Sequence, residues 1–158
     1  MAEIKAQLTV NSDISSYGMS INSDMTMNKA DSETGLELTS GLAKRAFTVN
    51  TQVDLVTGTT AAAGQTVTAT KAAKLYIKNV GSSPDKYFII GKGNASTTTS
   101  ETTIDSSGTD YYRIGRLYGG DWMLIPWDAV STTGDITIQA SDATTADPMY
   151  VEYMVFFE

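Results

Sequence analysis

The chain has two tryptophans, Trp122 and Trp127, and an aspartate stands beside each, Asp121 and Asp128. Paired carboxylates among aromatic rings are the equipment of a glycoside hydrolase. One acid protonates the leaving oxygen while the other activates water or attacks the sugar. The pattern is an unspecific one, because loop aspartates also bond their own backbone in turns. No other chemistry gains support. Asp13, Asp24 and Asp31 are too widely spaced to imply a metal site, and no D-x-D-x-D-G-x5-E run occurs. Gly91-Lys-Gly-Asn94 and Gly115-Arg-Leu-Tyr-Gly-Gly120 are glycine-rich but do not follow the phosphate-loop pattern. Neither opens a helix whose N-terminal amides would hold a phosphate. The absence of histidine and cysteine removes imidazole bases, thiolate nucleophiles and Cys/His metal sets. The expectation is no catalytic, cofactor-binding or metal-binding residue, hence no enzyme.

Composition narrows the class further. The 158 residues suffice for one ordinary domain, or one domain with an extended arm. Hydrophobic residues make up 41 % and charged residues only 18 %, with Thr and Ser taking up the difference. Thr, Ser, Gly, Val, Ile and Tyr together favour strands and turns over helices. The net charge is −7, and the 11 basic residues are scattered, the densest group being Lys71, Lys74 and Lys78. Nucleic-acid binding needs clustered cations to displace counterions, so no nucleic-acid partner is expected. Met1 to Val10 alternates polar and apolar residues without the continuous apolar core of a signal peptide. No stretch approaches the length of a transmembrane helix, so no membrane partner is expected either.

Patterning then places the elements. Met19, Ile21, Met25 and Met27 recur at odd positions among polar residues, a period of two interrupted at Ser23. That predicts a strand with one apolar face, and these four residues are interface candidates as well as core candidates. Ile4 to Val10 fits a short strand or a one-to-two-turn helix, and Gly35–Thr39 and Arg45–Asn50 read as short strands around a Ser40–Lys44 loop. Thr51–Val56 continues the second of them past a bend. The small-residue stretch Thr57–Gln65 separates an N-terminal portion, residues 1–56, from a main domain over residues 65–158. Ala73–Val80 and Tyr87–Ile90, joined by Gly81-Ser-Ser-Pro-Asp85, predict a hairpin. Asn94–Asp110 reads as an exposed Thr/Ser-rich excursion. Asp135–Ala140 and Met149–Phe157 complete the strand set, the last apolar on both faces except at Glu152 and therefore central. Short strands at regular spacing, with no helical stripe, predict an all-β fold. The form expected is an antiparallel β-sandwich of jelly-roll or Greek-key type, with an extended N-terminal arm or strand addition.

Three segments carry a resemblance: Lys74-Leu-Tyr-Ile-Lys-Asn-Val-Gly81 with Tyr87-Phe-Ile-Ile-Gly91, then Ile114-Gly-Arg-Leu-Tyr-Gly-Gly-Asp-Trp-Met-Leu-Ile-Pro-Trp127, then Asp135-Ile-Thr-Ile-Gln-Ala-Ser141 with Met149-Tyr-Val-Glu-Tyr153. Together they resemble small β-sandwich virion proteins of tailed bacteriophages over roughly residues 73–158. The resemblance implies a structural protein of the virion, foremost a capsid decoration or cement protein that bridges major capsid protein subunits. It also implies a homo-oligomer, a trimer first, with other virion proteins as partners and no cofactor. A tail, neck or fibre-adaptor component is the alternative within the virion. A carbohydrate-binding sandwich stacking sugars on Tyr118, Trp122 and Trp127 is the alternative outside it.

Everything turns on Leu117–Trp127. Gly119-Gly120-Asp121 is expected to start a buried strand over Trp122–Ile125, which Pro126 ends. Ile125 and one tryptophan would fill the core, leaving the other tryptophan or Tyr118 for contacts. Trp127, beyond the proline, is expected nearer a subunit boundary than Trp122.

Overall fold

The computed structural model describes residues 3–12, 19–28, 38–58, 73–93, 112–127 and 134–157. They form eleven strands: β1 (Glu3–Ser12), β2 (Met19–Asn28), β3 (Leu38–Thr39), β4 (Ala43–Phe47), β5 (Val53–Val56), β6 (Ala73–Asn79), β7 (Tyr87–Lys92), β8 (Tyr112–Tyr118), β9 (Trp122–Trp127), β10 (Ile136–Ala140) and β11 (Met149–Phe157). The chain divides into two compact units, Met1–Leu38 with Phe157–Glu158, and Thr39–Phe156.

In the first unit β1 and β2 pair antiparallel over ten residues each, from Glu3 opposite Asn28 to Ser12 opposite Met19. The opening segment is thus a strand. Alternation sorts its residues onto two faces. Ala6, Leu8 and Val10 share one with Met25, Ser23 and Ile21, their direct cross-strand partners. Lys5, Gln7, Thr9 and Asn11 share the other with Asn22, Asp24 and Ser20. Polar bonds run between strands there: Ser20 Oγ donates to Asn11 Oδ1 at 2.9 Å, and Thr9 Oγ1 to Asn22 Oδ1 at 3.4 Å.

The second unit is a two-sheet sandwich, with sheet orders β5-β10-β7-β8 and β3-β11-β6-β9, β4 also pairing with β11. The β4–β11, β6–β9, β5–β10, β10–β7 and β7–β8 ladders are all antiparallel. β3 and β4 occupy one position. Between them Ser40 N donates to Val155 O, while Ser40 Oγ accepts from Val155 N at 2.9 Å. The side-chain oxygen replaces a ladder carbonyl where the backbone bulges at Gly41, whose φ is +75°. Of Ser40–Lys44, expected as a loop, Ala43 and Lys44 belong to β4, and Ser40–Leu42 link the two short strands.

Counting β3/β4 as the first position and β11 as the eighth, the sheets read 1-8-3-6 and 2-7-4-5. That is the double Greek key of a jelly roll. Every connection but β7–β8 crosses between sheets. The expected hairpin of Ala73–Val80 with Tyr87–Ile90 is accordingly overturned. β6 pairs with β9 in one sheet, β7 with β10 and β8 in the other, and Gly81–Lys86 spans the gap. Both strands read as hairpin partners because strands lining a sandwich from opposite sides carry the same apolar alternation. β4 and β5, taken with the N-terminal portion in sequence, are sandwich strands in opposite sheets, so Thr51–Val56 crosses rather than continues. β11 lies centrally, as expected from its two apolar faces. Thr66-Val-Thr-Ala-Thr70, whose alternation predicts a strand, and the Asn94–Asp110 excursion lie outside the described residues.

Leu75, Ile77, Phe88, Ile90, Ile138, Val151 and Val155 are fully buried between the sheets. Phe47 of β4 meets Phe88 of β7 edge-on at 5.1 Å, closing the two layers across the core.

Candidate functional site

The Gly-Gly-Asp turn joins β8 of one sheet to β9 of the other. Asp121 is a turn acid: its Oδ2 accepts from Tyr118 N at 2.9 Å, and its own N–H donates back to Tyr118 O. Gly120 adopts φ +88°. Gly119 has no room for a side chain, because an added Cβ would lie 2.6 Å from Ser83 O and 2.9 Å from Gly81 O. The turn thus packs on the Gly81–Ser83 backbone. Asn79 locks that junction, donating from Nδ2 to Leu117 O at 3.0 Å and accepting at Oδ1 from Gly81 N at 2.9 Å. Two segments singled out in the sequence, Lys78-Asn-Val-Gly81 and Leu117–Asp121, are one structural joint.

Beyond the turn, three expectations are corrected. β9 is the edge of its sheet, so Trp122 is 47 % exposed and Met123–Ile125 only half-buried. Pro126 does not end the strand, since an edge strand tolerates a missing N–H, and the pairing continues through Lys74–Pro126 to Ala73–Trp127. Trp127 is the core tryptophan, 3 % exposed, with Nε1 donating to Gly134 O. Its candidacy for a subunit boundary falls, because alternation along β9 turns it inward with Ile125 and Trp122 outward.

The outer face of this sheet carries an apolar, aromatic surface. β9 presents Trp122, Leu124 and Pro126, and β6 presents Lys78, Tyr76 and Lys74 directly opposite. β11 adds Tyr150, Glu152 and Met154. Tyr76 and Trp122 lie 6.4 Å apart, and Lys44 Nζ sits 4.9 Å from the Tyr150 ring. Burial within this row, and then the nearby Glu152 carboxylate, push the Tyr76 phenol above its ordinary pKa. Lys44, Lys74 and Lys78 against Glu152 make the face locally basic on a chain of net charge −7.

Tyr118 is exposed on the outside of the other sheet. It pairs with Tyr87 at 5.2 Å, while the Arg116 guanidinium lies 4.6 Å from the Tyr87 ring. The three aromatics proposed as a sugar platform therefore scatter: Trp127 inside, Tyr118 and Trp122 on opposite faces. The neighbouring pairs that do form are tilted by 37° and 54°, so neither presents one plane. Of the methionine-strand candidates, Ile21 is 46 % exposed and Met25 half-buried. Met19 and Met27 hold paired positions in β2, opposite Ser12 and Ile4, and their side chains lie outside the described residues.

Asp128 of the carboxylate pair also lies outside the described residues. Ser83-Pro-Asp-Lys86 has the spacing of an S-x-x-K nucleophile and base, against the expectation that the chain holds no such motif. Ser83 and Lys86 line a cleft of about 370 Å³ beside Asn79 and Tyr150. Lys86 Nζ bonds Asp147 Oδ2 at 2.7 Å and lies 3.4 Å from Asp142, and these bonds raise its pKa, Asp147 first. A lysine base needs the opposite shift. Among the described residues no group of three metal-ligating side chains occurs, and no helix is long and apolar enough to cross a membrane. Comparison with family models, curated proteins and solved structures finds no match to this chain.

Proposed function

We propose that this protein is a non-enzymatic structural component of a tailed-phage virion. In this reading it decorates the head by seating the outer face of the β11–β6–β9 sheet on major capsid protein subunits. The observation that carries the reading is the exposed Trp122 against the half-buried Tyr76, with the exposed Tyr150 on the same outer face and lysines at the border. The outer face of a sandwich ordinarily carries polar residues, and exposed aromatic residues there mark a contact surface. Exposed Trp and Tyr supply the contact area that dominates protein interfaces, and a basic border on an acidic chain favours an acidic partner surface. Jelly rolls serve viral capsids and lectins alike, so the fold alone does not choose. The tilted rings favour protein over sugar, because stacking on a pyranose needs a flat ring presented in one plane.

Mixing the purified chain with heads that lack it tests the reading. Wild type is expected to cosediment, and the Trp122→Glu and Tyr150→Glu variants to stay in the supernatant while melting like wild type. Equal cosedimentation of all three would overturn the proposed face. A reconstruction of the particle decides the location. Copies matching the capsid lattice mean decoration, and copies at one vertex mean the tail or neck alternative.

A further inference from the structure

We propose that the N-terminal hairpin pairs face to face with the same hairpin of a second copy, about a two-fold axis lying across the strands. A lone two-stranded hairpin is marginal in water, and a second layer is what stabilises it. This one offers a suitable face: Leu8 is 44 % and Ile21 46 % exposed, with Ala6, Val10 and Met25 half-buried beside them. The charged Lys5 and Asp24 lie on the opposite face, so the contact buries neither of them.

The register specifies the occupant. Along the apolar face Ala6 lies opposite Met25, and in the next row Leu8 lies opposite Ser23. Large and small residues thus alternate diagonally. A two-fold axis between these rows, in the plane of contact and perpendicular to the strands, sets each row over its neighbour in the other copy. Leu8 then covers the partner's Ala6, and Met25 covers the partner's Ser23. The same operation brings Val10 and Ile21 over the positions of Ile4 and Met27, which pair with each other. In the two central rows each knob meets a hollow, the arrangement that lets two layers interdigitate, while the outer rows add apolar contact between large side chains. Ten-residue strands make the face about 34 Å long and roughly 10 Å wide. Two such faces cover roughly 700 Å² in total, the size of a weak, reversible contact rather than a permanent one. The contact is isologous, so it closes as a dimer rather than growing a filament.

Sedimentation equilibrium of the full chain over a wide concentration range tests it. Wild type is expected to populate a dimer, and the Leu8→Asp/Ile21→Asp double variant to stay monomeric with the same thermal melting of the sandwich. Ala6→Leu fills a hollow and is expected to weaken the dimer about tenfold or more. Adding Leu8→Ala to it exchanges knob and hollow, and is expected to restore most of that loss. Thr9→Asp on the polar face and Trp122→Glu on the sandwich leave the dimer unchanged. A monomeric wild type, a dimer that survives Leu8→Asp/Ile21→Asp or fails with Trp122→Glu, or a double exchange that recovers nothing would each overturn the proposal.

Discussion

Asn79 reaches from the end of β6 in one sheet to the carbonyl of Leu117 at the end of β8 in the other, with Nδ2 3.0 Å from that oxygen. The side chain is 1 % exposed, so both of its ends must be satisfied within the protein. Gly81 N satisfies Oδ1, and the Asn79 backbone receives Gly120 N and donates to Asp121 O. One residue therefore ties three segments of chain at the point where the fold passes between sheets. Removing it leaves the Leu117 carbonyl and the Gly81 amide without their partner. Asn79→Ala is expected to cost about 1–3 kcal/mol, chiefly from the buried bond to the Leu117 carbonyl, since the exposed Gly81 amide can turn to water. Urea unfolding checks this: the midpoint should fall while the slope m stays at its wild-type value.

The packing of the turn on that joint makes a second comparison. At Gly119 an added Cβ meets backbone atoms at 2.6 and 2.9 Å, which cannot swing aside as a side chain would. At Gly115, within β8, an added Cβ meets nothing within 4 Å. Gly119→Ala is expected to lower stability by about 2 kcal/mol or more, in the range of overpacked sites. Gly115→Ala should be neutral or stabilising by up to roughly 1 kcal/mol, through the lost freedom of the unfolded chain. Thermal melts of the two variants side by side separate them.

These two sites show what the sequence conveyed and what it withheld. The strand alternation of Leu75 and Ile77, and of Val151, Tyr153 and Val155, announced an all-β sandwich, because a period of two survives whichever sheet a strand joins. Partnership did not follow from it. β6 and β7 looked like a hairpin since nothing local records that Asn79 and Gly119 meet across forty residues. Trp127 was misplaced for a similar reason. Pro126 is a stop signal in a central strand and no obstacle at an edge, and edge position is a property of the assembled sheet. The outer aromatic face was legible only in part, with Trp122 named, but Tyr76 and Tyr150 join it through the β6–β9 and β11 neighbours.

Asp135 gives the stability a definite dependence on pH. It is 2 % exposed, and burial raises its carboxyl above the ordinary 3.8, the Gly58 N–H bond at 2.6 Å opposing that rise and the nearby Asp54 adding to it. The folded chain therefore holds this proton more tightly than the unfolded chain. Stability from this group rises as pH falls through the raised folded value, and is lost as pH climbs past it. Asp135→Asn keeps the oxygen that accepts from Gly58 and removes the charge. The variant should match or exceed wild type at pH 7, with the difference shrinking as pH approaches 4. A variant less stable than wild type at pH 7 would mean the fold relies on the charged form.

The two tryptophans supply the sharpest separation of folding from contact. Trp127 is buried and bonded through Nε1 to Gly134 O, so Trp127→Ala opens a large cavity and orphans a carbonyl. A loss of about 3–5 kcal/mol is expected, enough to unfold a marginal domain. Trp122 stands half in solvent on the outer face, opposite Lys78 and 6.4 Å from the Tyr76 ring. Trp122→Ala should change stability by less than about 1 kcal/mol. Fluorescence reads the two directly. Trp122→Phe should remove the red, solvent-exposed component and leave a blue emission that shifts only on unfolding. Addition of the binding partner to wild type should then shift the red component alone, because the contact covers Trp122 and leaves Trp127 where the core already holds it. A blue shift that persists in Trp122→Phe on addition of the partner would place the contact elsewhere on the molecule.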